Sequence, residues 1–268
     1  MTVTRTLRLG VVAAATAGML LVGAGPAGAA ATVQPGAQLF NSQSAQCTAN
    51  FVYTNGTTKY IGLAAHCFST GNNTQTDGCT TQSLPLGDVV KDANGQTIGT
   101  LAYSSWLTMQ GRHETDAETC AYNDLALVQL ASNVTPDPSV PKWGGPTGTA
   151  AAGAPESGNQ VYSYGNSELR LGISQLSPKT GYGIGDSPGG WSHDVYTVTP
   201  GIPGDSGSGF LDANGNAFGI LSTVAIAPLA GSNGVGDLAK ELDYASLHGG
   251  LGTITVVHGG TFTPGLPL

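Results

Sequence analysis

Turn-forming residues punctuate this chain about every 8–12 positions, and the apolar runs between them are short. A helical core needs apolar residues recurring three and four positions apart over longer stretches, and one segment alone, Asp237 to Leu247, offers that. Glycine makes up 41 of 268 residues without a G-X-Y repeat, which excludes a collagen-like chain. A hydrophobic content of 40% argues against wholesale disorder. The pattern predicts an all-β barrel or sandwich.

Particular turn words support this. Asn55-Gly56 lies between Phe51-Val52-Tyr53 and the run Lys59 to Ala64, and both turn residues tolerate positive φ, so a hairpin is expected. Asp92-Ala93-Asn94-Gly95 and Asp212-Ala213-Asn214-Gly215 repeat one turn word in the two halves of the chain. A calcium loop would need the EF-hand spacing and its closing Glu, which are missing, so both read as turns. Further strands are expected at Leu125 to Leu130, Val161 to Tyr164, Val195 to Val198, Phe218 to Ser222 and Thr253 to Val257. Residues 132–158 are dense in Pro, Gly, Ala and Ser, and read as a connection between two lobes. In the expected helix, Asp237 can cap the start and Gly249-Gly250 can end it.

The N-terminus reads as an address. Arg5 and Arg8 precede the uncharged apolar run Leu9 to Val22, and Ala27-Gly28-Ala29 then supplies small residues suited to a signal peptidase. That run is shorter than the roughly 20 residues a membrane span needs. Residues 1–29 are therefore expected to be a signal peptide, and the mature protein to be exported and free of the membrane. The net charge is −8, with nine Lys and Arg against 17 Asp and Glu. Phosphate contacts need a basic footprint, so a nucleic-acid partner is not expected. Cys47, Cys67, Cys79 and Cys120 form an even set, which in an exported chain reads as two disulfides with three possible connectivities. No CxxC pair or clustered His supports zinc.

Three segments carry chemistry: Leu63-Ala64-Ala65-His66-Cys67, Asn123-Asp124-Leu125-Ala126-Leu127-Val128, and Gly204-Asp205-Ser206-Gly207-Ser208-Gly209. They give His, Asp and Ser in the chain order of the chymotrypsin family. On these motifs, from roughly Gln38 to Val257, the sequence resembles a secreted bacterial trypsin/chymotrypsin-like serine protease. The resemblance implies two antiparallel β-barrel lobes and one short helix in the C-terminal region. The first lobe, 30–140, would hold His66 and Asp124, and the second, 141–268, Ser206. A serine hydroxyl is a weak nucleophile and needs a base, here His66, whose tautomer Asp124 would fix. The amides of Gly204 and Ser206 would form the oxyanion hole. Neither cofactor nor metal is implied.

The resemblance also pairs Cys47 with Cys67, leaving Cys79 with Cys120. The position six before Ser206, an aspartate in trypsin-like members, is Pro200, so Arg or Lys is not expected as the residue before the cleaved bond. Ser222 and Val224 match the pocket wall, with Val224 narrowing the entrance, and small or apolar side chains are expected. Asp237 could still bring an acid to the pocket. Asp205 needs a cation, and animal relatives supply it by a cut after a basic residue. No Lys or Arg lies between Arg8 and Lys59, so the expected partner is Arg170, with Lys179 as the runner-up and a surface pair of Arg170 with Glu168 as the rival. The enzyme is expected to be active once its signal peptide is gone. Ser208 departs from the usual Gly-Asp-Ser-Gly-Gly. Asp77 and Asp116 are rival aspartates that precede no apolar strand, and His113, His193, His248 and His258 read as surface or turn histidines. The expected partners are protein or peptide substrates and secreted protease inhibitors, and the expected state is a monomer. An inactive relative that binds extracellular partners, or a glycine-rich surface module, are the alternatives to an endopeptidase.

Overall fold

The structure is a computed structural model that describes Met1 and residues 31–71, 77–224 and 231–266. The expected signal peptide lies outside the described residues apart from Met1. The first part of the chain forms β1 (Ala31–Val33), β2 (Gln38–Phe40), β3 (Gln46–Thr48), β4 (Val52–Thr54), β5 (Lys59–Ala64), β6 (Val89–Asp92), β7 (Thr97–Ser104), β8 (Leu125–Leu130) and β9 (Val134–Pro136). The second part forms β10 (Gln160–Tyr164), β11 (Pro178–Asp186), β12 (Ser192–Thr197), β13 (Gly209–Leu211), β14 (Ala217–Val224), β15 (Asn233–Asp237) and β16 (Thr255–Val256). The helices are α1 (Ser105–Arg112), α2 (Ala117–Tyr122) and α3 (Leu238–His248).

Strands β10-β11-β12-β15-β14-β13 close into an antiparallel barrel. The other large sheet runs β16-β4-β5-β8-β7-β6-β2-β3, and β1 pairs separately with β9 in parallel. The expected all-β, two-lobed architecture is therefore present. The Asn55-Gly56 word joins β4 to β5, with Gly56 at φ 95°. Both Asp-Ala-Asn-Gly words are turns in which the first aspartate bends back on the chain: Asp92 Oδ1 accepts the amides of Asn94 and Gln96, and Asp212 Oδ1 those of Asn214 and Asn216.

The helix near the C-terminus is α3. Asp237 caps it, its Oδ1 accepting the Lys240 amide at 2.9 Å, and Gly249 ends it. Two further helices, α1 and α2, were not expected. In α1 the Ser104 hydroxyl accepts the Leu107 amide, and Trp106 and Met109 are buried. In α2 the cap is Asp116. The expected last strand is present as β16, but it pairs with β4 of the first sheet rather than joining the second barrel. One core cluster draws on both sheets, packing Phe51, Tyr53 and Leu127 with Tyr162, Leu211, Ile220 and Leu238. That shared core fixes the sheets against each other where β5, β8 and β14 converge. No helix among the described residues is long and apolar enough to cross a membrane.

Candidate active site

His66 and Asp124 meet because their strands are in register. β5 and β8 pair antiparallel with Ala64 opposite Leu125. The chain then turns through one 3-10 turn, Ala65–Phe68, and carries His66 back over the residue just before β8. The Ala65 amide donates to the Asp124 carbonyl at 2.5 Å. The Asp124 carboxylate accepts the His66 amide on Oδ1 at 2.8 Å and faces the imidazole Nδ1 from Oδ2 at 2.6 Å. The Ser222 hydroxyl donates to the same Oδ2 at 2.6 Å. Asp124 is buried while the imidazole keeps an open edge. An ionised carboxylate only accepts, so Nδ1 bears the proton and Nε2 is left with its lone pair. Burial pulls the His66 pKa down, but the charge and hydrogen bond of Asp124 more than offset it, and the net shift is upward.

Ser206 lies in a turn that both sheets hold. Its carbonyl accepts the Thr48 amide at 2.9 Å, and the Gly204 carbonyl accepts Thr48 Oγ1 at 2.8 Å and Gln46 Nε2 at 2.9 Å. From the other side, the Gly207 amide donates to Leu221, next to Ser222, at 2.7 Å. Gly204 (φ 93°) and Gly207 (φ 86°) occupy left-handed conformations. A Cβ on Gly207 would lie 2.7 Å from the Thr48 carbonyl and 2.9 Å from the Ala64 nitrogen, so the turn is packed onto the strand that delivers His66. Neither the Gly204 nor the Ser206 amide has an acceptor among the described residues, and no hydrogen bond joins Ser206 Oγ to the imidazole. Ser208 is buried, its amide donating to the Asp205 carbonyl and its hydroxyl without a partner among the described residues.

Asp205 is fully buried beneath this turn and meets two cations. Arg170 Nη2 lies 2.5 Å from Oδ2, and Lys179 Nζ lies 2.9 Å from the same oxygen. The amides of Ser167 and Ile202 donate to Oδ1 and Oδ2 at 3.0 and 3.1 Å. Arg170 and Lys179 also donate to the Pro200 carbonyl, each at 3.2 Å. Burial lowers the Lys179 pKa to about 8, the Asp205 charge opposing this and the Arg170 charge adding to it. The N-terminal strand β1 is taken up by β9 and does not reach Asp205.

Of the expected pocket residues, Pro200 is exposed, Ser222 turns its hydroxyl to Asp124, and Val224 pairs through its backbone with Asn233. The side chain of Val224 is outside the described set. Beside Pro200, the Gly201 amide donates to the Oδ1 of fully buried Asn233 at 2.9 Å. Asp237 is engaged elsewhere, by His193 Nε2, the Gly153 amide and the start of α3.

The disulfides are Cys47–Cys67 and Cys79–Cys120. Two groupings of potential metal ligands occur among the described residues, Cys47/His66/Cys67 and Asp77/Cys79/Cys120, and in both the sulfurs are already tied up in these bridges. Asp116 caps α2, and Asp77 accepts the Cys79 amide. His113 and His258 are exposed and His248 half-buried. His193 corrects the surface reading: it is 1% exposed, its Nδ1 2.7 Å from Asp186 and its Nε2 3.1 Å from Asp237. Its partners sit on separate strands, which no local pattern displays. Two further residues hold Asp124, Ser222 at its carboxylate and Glu241, whose Oε1 accepts its amide at 2.9 Å, and no motif marks either contact.

This is the two-barrel fold of the bacterial chymotrypsin-like serine proteases. Among solved structures, the chain is similar to Thermobifida fusca protease A at 17% identity and TM-score 0.53, covering 85% of this chain and 100% of that one. A glutamic-acid-specific serine protease described as using a histidine triad in substrate binding matches at 18% identity and TM-score 0.53, covering 84% and 100%. Cellulomonas bogoriensis chymotrypsin matches at 16% identity and TM-score 0.51, covering 84% and 98%. No protein-family profile and no curated protein sequence matches the chain.

Proposed function

We propose that this protein is an exported serine endopeptidase that cleaves peptide bonds through His66, Asp124 and Ser206. The observation that carries the reading is the 2.6 Å His66–Asp124 hydrogen bond, converging with a Ser206 turn held by both sheets. Ser206 Oγ attacks the scissile carbonyl while His66 Nε2 takes its proton, and the protonated imidazole then returns that proton to the leaving amine. The resulting acyl-enzyme is hydrolysed by water activated at the same nitrogen. Asp124 holds the tautomer and stabilises the imidazolium. The acceptor-free amides of Gly204 and Ser206 are suited to the oxyanion, whose stabilisation is often the largest single contribution to the rate. Such sites tighten on substrate, so the unmade Ser206–His66 hydrogen bond does not count against these roles.

Small or apolar residues are the proposed preference before the scissile bond. Among the described residues, the buried carboxylate whose cations reach the Pro200 carbonyl is Asp205, and both its oxygens are already engaged, while Asp124 beside Ser222 is taken up by His66. With Asp237 occupied too, a substrate guanidinium would be buried unpaired, at a large desolvation cost. Two disulfides fit an oxidising compartment outside the cytosol.

A fluorophosphonate probe should label the wild-type protein and leave Ser206→Ala unlabelled. No labelling of the wild type would refute the hydrolase reading and favour a binding protein on this fold. A peptide-library profile dominated by Arg or Lys would overturn the specificity.

A further inference from the structure

Against the backbone of Asp124 lies a carboxyl that the proposed mechanism does not use. Glu241, one turn into α3, is fully buried, and its Oε1 accepts the Asp124 amide at 2.9 Å. Its Oε2 has no partner among the described residues. Room for the carboxyl is made on β15, where a Cβ on Gly236 would lie 2.6 Å from Oε1.

We propose that Glu241 is a positioning residue: it anchors the backbone of Asp124 from the C-terminal helix and so sets how the Asp124 carboxylate is aimed at His66. The inference rests on the catalytic reading above. Asp124 follows the end of α2 and immediately precedes β8, so neither regular element supplies an acceptor for its amide. Its carbonyl is fixed by Ala65 and its carboxylate by His66 and Ser222. Glu241 closes the remaining freedom, that of the peptide plane entering the residue. Without it a buried amide loses its one acceptor among the described residues, and the segment must shift or twist to satisfy the group.

The groups facing Glu241 favour its neutral form. Asp124 and Asp237 are both near enough for their charges to oppose ionisation, and Tyr53 and Tyr103 feel its charge in turn. No cation pairs with it among the described residues. Burial is the largest cause, and the pKa is raised well above the ordinary carboxyl range despite the Asp124 amide. A neutral acid that serves as an acceptor is mimicked by an amide.

Glu241→Leu removes the acceptor and Glu241→Gln restores it. Glu241→Leu is expected to lower kcat by about 10²-fold with KM little changed, the scale of a misplaced catalytic group. Glu241→Gln should recover most of that loss, with the acidic limb of the pH profile unmoved because no charge has been removed. The low-field His66 Nδ1 proton resonance should be displaced or broadened in Glu241→Leu and retained in Glu241→Gln. That measurement does not depend on turnover, so it stands even if wild-type labelling fails and the protease reading falls. Wild-type kcat and resonance in Glu241→Leu would overturn the inference, as would a Glu241→Gln variant as impaired as Glu241→Leu. If Glu241→Leu does not fold, amide hydrogen exchange at Asp124 in Glu241→Gln decides: wild-type protection supports the anchor, and lost protection refutes it.

Discussion

Replacing Arg170 by Met tests whether the Ser206 turn depends on buried charge balance. Asp205 is wholly buried, and four donors converge on it: two backbone amides, Arg170 and Lys179. Stranding a buried charge costs about 3–5 kcal/mol. Arg170→Met does not strand it, because Lys179 stays at 2.9 Å. The expected loss is therefore that of a hydrogen bond to a charged group, about 1.5–3 kcal/mol. Lys179→Met should cost less, since the ammonium it removes is itself poorly placed, its pKa held down to about 8 by burial. The double variant leaves Asp205 with backbone donors alone, so its loss should exceed the sum of the singles by about 1–3 kcal/mol. Urea unfolding at constant slope gives the stabilities, and the fluorophosphonate labelling rate in native buffer reports the Ser206 turn. Exposed Arg112→Met is the control and should stay within about 0.5 kcal/mol of wild type. Strict additivity in the double variant, or an Arg170→Met indistinguishable from Arg112→Met, would refute the reasoning.

In the proposed mechanism His66 acts as a neutral base, and its pKa is raised, so kcat/KM should rise with pH along a limb centred above 6.5; a midpoint at or below 6.5 would contradict this. Asp124→Asn should cut kcat on the order of 10⁴-fold through the wrong imidazole tautomer, measured by single-turnover acylation. Burial lowers the His193 pKa, but Asp237 and Asp186 more than compensate and raise it overall. A raised folded-state value gives stability that is complete below about 6.5 and lost as pH rises through the folded pKa. Thermal melts should accordingly show stability falling as pH rises above about 6.5, a step that flattens in His193→Gln, and an unchanged step would rule the residue out as its source.

The sequence carried whatever is local. Asn55-Gly56, both Asp-Ala-Asn-Gly turns and the Asp237 cap depend on residues a few positions apart, and each occurs as expected. The strand Leu125–Leu130 was legible as a continuous apolar run, and it is buried on both faces along most of its length. Helix α1 was not legible because its apolar stripe is only Trp106 and Met109, and much of what holds it, the burial of these two and the bonds from Gln110 to the Gly78 and Thr81 carbonyls, lies outside its own sequence. At the proposed site, the three segments that carry His66, Asp124 and Ser206 were legible as motifs. The groups that hold them were not. Glu241 is 117 positions from Asp124, and Ser222 is 98 positions from it, so their roles exist only after the two sheets dock. His193 was misread for the same reason, with Asp237 lying 44 residues away.

The return of β16 to β4 sets the order in which the protein can be completed. In the first sheet β4 pairs with β5 on one side and with β16 on the other. Until Thr255 and Val256 arrive, the outer edge of β4 presents unpaired amides and carbonyls that could accept a strand from another chain. The first lobe is thus finished by residues made after every strand of the second barrel. Vectorial folding, one lobe and then the next, would stop with an open edge. A chain cut short after α3 would keep every strand of the closed barrel but lose β16 with buried Ile254 and Val256, leaving a sticky seam along β4.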